Sequence, residues 1–220
     1  MIDALAKIII KHHKSNMPLL VAINGIDGVG KTTLSDMLAK HFREQEQPVI
    51  QISFDNFAKF RDKENGNPHV HQHSAASWYY KNAWDYDGLH QNVIKPIKAG
   101  SLEIIPALFS WHTDKPMKSD TIQIEKNSII LIEGVFLFHP ELAAAWDLKI
   151  FLSAALETVM KRGTSRDSTT VEEAKQKCRE YEHCYHGGQK IYINDINPEQ
   201  LADIVIEYTD PTNPTILSNY

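Results

Sequence analysis

A short stretch near the N-terminus has residue types and spacing suited to binding phosphate. It reads Gly25-Ile26-Asp27-Gly28-Val29-Gly30-Lys31-Thr32-Thr33 and matches G-x-x-x-x-G-K-[ST] at every fixed position. In such a loop, glycines let successive backbone N–H groups turn inward around an anion. The lysine can reach the β- and γ-phosphates of a nucleotide, and the hydroxyl after it can ligate Mg²⁺. The pattern therefore predicts nucleotide contacts from Gly25, Asp27, Gly28, Val29, Gly30, Lys31, Thr32 and Thr33, with Thr32 as a metal ligand.

The flanks of this stretch supply the structural context that the motif needs. Residues 19–23 are a continuous apolar run, as in a buried parallel strand. After the loop, Leu34, Met37, Leu38 and Phe42 recur at helical spacing. The glycines are therefore predicted to lie between a strand and a helix, whose N-terminal end also favours anions.

Two carboxylates follow other predicted strands. Asp55 comes directly after residues 49–53, and Glu133 lies near the end of the apolar run at 128–134. The carboxyl ends of parallel strands meet at one edge of a sheet, where ligands bind. We predict Asp55 as the general base that takes the proton of an acceptor hydroxyl, and Glu133 as a ligand of Mg²⁺ or of its water. A helix cap or turn residue is the alternative reading of Asp55.

Several arginines could contact phosphate or substrate. Arg162 and Arg166 follow the predicted fourth strand and its helix, and guanidinium groups match phosphate oxygens in pairs. This segment, about 162–187, is predicted to form a lid over the donor, with a solvated helix end as the alternative. Arg61, shortly after Asp55, is predicted to face the acceptor.

Composition limits the possible partners. The chain has 220 residues and a formal net charge of −5, which argues against a broad nucleic-acid or anionic-membrane surface. Its apolar runs are too short to span a bilayer, and its N-terminus lacks a signal-peptide pattern. We therefore expect a cytoplasmic protein with a small-molecule partner, no nucleic acid and no membrane; a homo-oligomer remains open. The alternating His69, His71 and His73 could bind metal, but their polar loop favours a solvated role.

The order of elements predicts one α/β domain over residues 1–220. Strands alternate with helices, so the expected fold is a parallel sheet with helices on both faces. Residues 74–99 are predicted as one helix. Two short strands at 102–106 and 121–124 predict an inserted hairpin at about 101–125, and the tail from residue 209 is Pro-rich.

At this point the sequence resembles a known family, the uridine kinase and phosphoribulokinase group of P-loop kinases. The resemblance covers most of the chain and implies a five-stranded parallel sheet in a three-layer sandwich. It also implies ATP and Mg²⁺ as cofactors, Asp55 as the base and an Arg-bearing lid. The segments that carry it are the phosphate loop, Ser53-Phe54-Asp55-Asn56-Phe57, the inserted hairpin, residues 130–135, Arg162-x-x-x-Arg166-Asp167 and residues 202–206.

The sequence departs from the family pattern in the segment that is expected to bind the acceptor. Uridine kinases usually carry Pro-x-Tyr-Asp-Phe in the hairpin, whereas this chain has residues 106–112 without the Tyr-Asp pair. We predict a nucleoside-like hydroxyl compound bound by Trp84, Asp85, Trp111 and His112. Uridine or cytidine and another riboside or vitamin-like alcohol stay open as acceptors. A GTPase would need an Asn-Lys-x-Asp motif, which is missing, and a non-catalytic nucleotide-binding module would not need Asp55 or Glu133.

Overall fold

A six-stranded sheet runs through the part of the chain that the computed structural model describes, residues 1–14, 16–59, 75–110, 113, 115–155, 158–159 and 184–219. Four further strands form two small pairs outside this sheet. In chain order the strands are β1 (Leu19–Gly25), β2 (Val49–Ser53), β3 (Glu103–Ile104), β4 (Phe109–Ser110), β5 (Lys115–Pro116), β6 (Ile122–Gln123), β7 (Ile129–Gly134), β8 (Leu148–Ser153), β9 (Ile204–Glu207) and β10 (Thr215–Asn219).

The main sheet has the order β10-β9-β8-β1-β7-β2. Its five strands from β9 to β2 are parallel, as predicted. The sixth strand corrects the expectation of five: β10 pairs antiparallel with β9. A turn joins the two, in which the Asp210 carboxylate accepts hydrogen bonds from the backbone N–H and hydroxyl of Thr212. Pro211 and Pro214 are confined to this connection, so the segment after them is free to pair.

Helices cover both faces of the sheet. They are α1 (Ile2–His12), α2 (Lys31–Glu44), α3 (Ala75–Asn82), α4 (Tyr86–Leu89), α5 (Lys95–Lys98), α6 (His186–Ile196) and α7 (Pro198–Leu201). Alternate residues of β1 enter opposite cores: Val21 and Ile23 pack with Leu5 of α1 and Leu34 of α2. Leu20 and Ala22 join the aromatic core on the other face. This two-sided burial explains the unbroken apolar run of β1. No helix of the described part of the chain is both long and apolar enough to cross a membrane.

The helix predicted for residues 74–99 is interrupted, which corrects that prediction. Helix α3 ends at Asn82, and α4 begins after Asp85, whose carboxylate accepts a hydrogen bond from Gly88 N at 3.0 Å. Between the helices, Trp84 forms an antiparallel bridge with Ala58. The cap and this long-range pairing outweigh helix propensity at residues 83–85. Beyond α4, a π-helical turn at His90–Ile94 leads into α5.

The predicted inserted hairpin is present and has two parts. Strands β3 and β6 pair antiparallel, and β4 and β5 form a second pair within their connection. The expected Arg-bearing lid falls almost entirely on 160–183, outside the described residues.

Candidate active site

The phosphate loop, residues 26–30, joins β1 to α2 at the edge of the sheet where the parallel strands end. Gly28 and Gly30 have φ of +77° and +111°, a region that side-chain-bearing residues rarely adopt. A Cβ on Gly30 would also lie 2.8 Å from Cε1 of Tyr208, a buried residue just after β9. Both the turn and the packing behind it therefore require glycine.

Lys31 and Thr32 begin helix α2 beside this loop. Lys31 is only 8% exposed, and its Nζ donates a hydrogen bond to Ile26 O at 3.0 Å, which holds the ammonium group at the loop. Thr32 and Thr33 are exposed, whereas the side chain of Val29 is buried and its backbone N–H donates a hydrogen bond to Ile26 O at 3.2 Å within the turn. The first N–H groups of α2, which have no partner within the helix, and the positive end of its dipole suit a phosphate anion.

The Asp27 carboxylate of the loop is bound by two side chains that the sequence analysis did not identify. Its Oδ2 accepts hydrogen bonds from the Tyr79 hydroxyl of α3 at 2.8 Å and from Gln189 Nε2 of α6 at 2.6 Å. Burial, and then the nearby Asp27 carboxylate, hold the pKa of Tyr79 well above its ordinary value. The Asp55 carboxylate adds a smaller contribution to this rise in pKa. The phenol therefore stays a neutral hydrogen-bond donor.

A second buried network supports the end of β1. Asn24 Nδ2 donates to the Tyr192 hydroxyl at 2.6 Å, and Asn24 Oδ1 accepts from Gly25 N at 2.9 Å. The same hydroxyl accepts a hydrogen bond from Phe138 N at 3.2 Å. Burial raises the pKa of Tyr192. Helix α6 thus contributes Gln189 to the loop and Tyr192 to the strand before it.

The two predicted carboxylates follow strands adjacent to β1. Strand β7 lies between β1 and β2, and Glu133 is opposite Ile23 on one side and Ser53 on the other. Glu133 is 7% exposed, and its carboxylate makes no hydrogen bond within the described residues. Asp55 is exposed on a 3₁₀ turn, Phe54–Phe57, that directly follows β2. The sheet order thus brings Asp55 and Glu133 to the edge that carries the phosphate loop.

The residues present are suited to a bound magnesium ion. Mg²⁺ prefers oxygen ligands and usually keeps several waters, binding one or two carboxylates plus substrate phosphates. The exposed Thr32 hydroxyl and the Glu133 carboxylate offer such oxygens at one sheet edge. Within the described residues, no three His, Cys, Asp or Glu side chains are grouped closely enough to hold a metal by themselves.

A cavity of about 490 Å³ opens beside the Asp55 turn. Three backbone hydrogen bonds fix its walls: Leu108 N to Asn56 O, Lys59 N to Ala83 O, and Asp85 N to Phe57 O, at 2.8–2.9 Å. These bonds join the insert and the α3–α4 connection to the segment that carries Asp55. The residues that line the cavity are Ala58, Lys59, Trp78, Asn82, Asp85, Leu108, Phe109 and Pro116.

The predicted acceptor residues divide into three groups. Asp85 lines the cavity while also capping α4. Trp84 does not line it: this side chain is 4% exposed and stacks on Phe54 at 5.1 Å in the aromatic core, so its assignment to the acceptor wall is corrected. Trp78, on the preceding helix, supplies the indole instead. The remaining predicted site residues lie outside the described residues: Arg61, Trp111, His112, Arg162 and Arg166, as do His69, His71 and His73.

Comparisons with known proteins bear on the family and the fold. The profile of the Phosphoribulokinase / Uridine kinase family matches residues 20–210. A uridine kinase of Enterobacter sp. (strain 638) is 24% identical over 201 residues, covering 88% of each chain. Among solved structures, one described as a possible uridine kinase from Bacillus stearothermophilus matches with a TM-score of 0.70 and 25% identity, covering 93% of this chain and 96% of that one.

The phosphoribulokinase of Rhodobacter spheroides shares the fold at 15% identity, with a TM-score of 0.57 and coverage of 88% of this chain and 71% of its own. The predicted α/β fold is thereby confirmed. The chain belongs to the phosphoribulokinase and uridine kinase family and is a P-loop kinase that acts on a small-molecule substrate.

Proposed function

We propose that this protein is an ATP-dependent kinase that transfers the γ-phosphate to a hydroxyl group of a small, nucleoside-like acceptor. The observation that carries the proposal is the convergence at one sheet edge. Three adjacent strands, β1, β7 and β2, end in the phosphate loop, Glu133 and Asp55, and a cavity opens beside the Asp55 turn. A donor site, a base and an acceptor site are the three parts that phosphoryl transfer needs.

In the proposed reaction, the acceptor oxygen forms a bond to the γ-phosphorus as the bond to the β–γ bridging oxygen breaks, releasing ADP. Asp55 takes the proton of the hydroxyl, and its exposure leaves the carboxylate accessible to that group. The loop N–H groups and Lys31 bind the phosphates and stabilise the charge on them. Arg162 and Arg166 are proposed to close over the donor, on the strength of their sequence pattern. Mg²⁺, held by Thr32 and Glu133, would neutralise phosphate charge.

The acceptor is proposed to occupy the cavity beside Asp55. Trp78 and Phe109 offer flat apolar surface for a ring, and Asn82 and Asp85 offer polar groups for hydroxyls. Asp85 Oδ1 accepts the capping hydrogen bond from Gly88 N, and Oδ2 is proposed as the oxygen that accepts a hydrogen bond from the ligand. Lys59 adds one cation to the lining, and Arg61, Trp111 and His112 are proposed to complete the wall.

Two observations bear on the chemical identity of the acceptor, and they favour different classes of compound. The relatives named uridine kinase favour a pyrimidine nucleoside. The missing Tyr-Asp pair of the hairpin favours a different riboside or a vitamin-like alcohol. We propose that the enzyme works in the cytoplasm on free small molecules, in keeping with its net charge of −5.

The test is a coupled assay of ADP release with a panel of acceptors: uridine, cytidine, purine ribosides, other ribosides and vitamin-like alcohols. We expect turnover that depends on one of these compounds. Asp55→Asn should then lower kcat by about two to four orders of magnitude and leave nucleotide affinity unchanged. Asp120→Asn, at an exposed site in the insert away from the cavity lining, is the matched control. Acceptor phosphorylation that survives Asp55→Asn within a few-fold would rule out Asp55 as the base.

A further inference from the structure

Asp27 places a carboxylate inside a loop built to bind anions. Two nearly fully buried side chains donate to the same oxygen of this carboxylate: Tyr79, 3% exposed, and Gln189, 1% exposed. The donors come from different helices, α3 and α6, far apart in sequence. A carboxylate only accepts hydrogen bonds when ionised, so the amide of Gln189 must present its nitrogen to Asp27. Two buried donors on one oxygen indicate that the direction of this carboxylate is fixed.

Packing of α6 on α3 sets the two donors side by side. A Cβ on Gly188 would lie 2.7 Å from Cδ1 of Tyr79 and 2.9 Å from Ala76 O, so the helices meet without a side chain between them at this point. The close approach brings Gln189, the next residue, to Asp27. Helix α3 also carries Trp78 and Asn82 into the cavity wall. The Asp27 carboxylate therefore links the phosphate loop to α6 and to α3, the helix that forms part of the acceptor wall.

The negative charge of Asp27 opposes the binding of phosphate by the loop. Backbone N–H groups and the end of α2 attract phosphate, whereas an ionised carboxylate in the same loop repels it. Hydrogen bonds to a charged group are stronger than neutral ones, so two of them can orient the carboxylate and disperse its charge. Without those donors the side chain would be free to turn toward the bound phosphates.

We propose that Tyr79 and Gln189 are positioning residues for the donor nucleotide, because they hold the Asp27 carboxylate out of the phosphate site. The inference rests on the nucleotide donor of the proposed function and is independent of the acceptor. It predicts that loss of either donor weakens nucleotide binding in proportion to the charge of the phosphate chain.

The experiment measures Kd for three probes by calorimetry: a non-hydrolysable ATP analogue, ADP and AMP. Tyr79→Phe removes only the hydroxyl, and we expect Kd to rise by about 5- to 10-fold for the ATP analogue, less for ADP and least for AMP. Gln189→Leu should give the same order and serves as the second variant if Tyr79→Phe is poorly folded. Tyr80→Phe, the same change at the next residue of α3, should leave all three values unchanged.

A double-mutant cycle separates the charge of Asp27 from simple packing. In an Asp27→Asn background the repulsive charge is gone, so adding Tyr79→Phe should alter Kd for the ATP analogue by less than about two-fold. Equal losses for all three probes, or an undiminished effect of Tyr79→Phe in the Asp27→Asn background, would overturn the proposal. An acceptor panel without turnover would overturn the proposed function but not this binding result.

Discussion

Asp85 combines two roles that substitution can separate. Its Oδ1 accepts a hydrogen bond from Gly88 N at 3.0 Å and so caps α4, while the same side chain lines the cavity. Replacing a capping Asp by Ala costs about 1 kcal/mol, whereas Asn caps as well as Asp. For a chain of 220 residues, with an unfolding entropy of about 2.1 cal/mol/K per residue, 1 kcal/mol corresponds to about 2 °C in Tm. We therefore expect Asp85→Ala to lower Tm by about 2 °C and Asp85→Asn to leave it unchanged.

The effect of the same two substitutions on kcat/KM for the acceptor should differ from their effect on Tm. A hydrogen bond to a charged group contributes about 1.5–3 kcal/mol and a neutral one about 0.5–1.5 kcal/mol. In Asp85→Asn the single carboxamide oxygen stays with the cap and an NH₂ group takes the place of Oδ2, so the hydrogen bond from an acceptor hydroxyl to a charged oxygen is lost, about 1.5–3 kcal/mol, and kcat/KM should fall by about 10- to 100-fold. Asp85→Ala loses the whole interaction, and kcat/KM should fall by about 10- to 100-fold.

Two measurements on the same purified variants check this reasoning. Thermal unfolding reports the cap, and steady-state kinetics with the best acceptor of the panel reports the ligand contact. If Asp85→Asn matches the wild type in both Tm and kcat/KM, Asp85 is a helix cap alone and the acceptor placement is wrong.

Three further predictions concern the loop and the core. Lys31→Ala should keep the fold and abolish turnover, because it removes the cation from the phosphate loop; undiminished turnover in a coupled assay would contradict the donor site. Gly30→Ala should destabilise the protein by more than Gly100→Ala, since both have positive φ but only Gly30 also meets a neighbouring ring; chemical denaturation compares them. Burial lowers the pKa of His139, partly opposed by Glu141, so the unfolded state binds the proton more readily. Stability should therefore fall as pH drops below about 6.5, and His139→Gln should flatten that dependence in urea titrations; an unchanged slope would exclude His139 as its source.

Local patterns were sufficient to predict where the fold places the phosphate loop and the two carboxylates. The phosphate loop and the apolar runs of β1 and β7 depend on neighbours in sequence, and the rule for parallel strands placed Asp55 and Glu133 at the same edge. The partners of Asp27 could not be predicted in this way. Tyr79 and Gln189 meet it only through the packing of α3 on α6, and neither differs in local sequence from an ordinary helix residue.

The cavity walls near Asp55 could not be predicted from the spacing of apolar residues. That spacing favours one continuous helix and does not reveal the cap and the long-range pairing that interrupt it. Residues 74–99 carry a helical pattern throughout, yet the Asp85 cap and the bridge between Trp84 and Ala58 end α3 early. The break turns Trp84 into the core and leaves Trp78 at the cavity. Strand β10 was not predicted because the prolines of the β9–β10 turn made the whole tail resemble a loop in composition.

The central place of β7 determines when the phosphate loop can form as the chain is made. Leu19 of β1 and Val49 of β2 both lie opposite Ile129, and β1 and β2 are not neighbours in the sheet. Until β7 has been synthesised, the two earlier strands have no common partner, and such distant pairings close slowly. A chain truncated before residue 129 should therefore carry the phosphate-loop sequence without nucleotide affinity. We therefore expect a nucleotide to stabilise the growing chain only after β7 has entered between the first two strands.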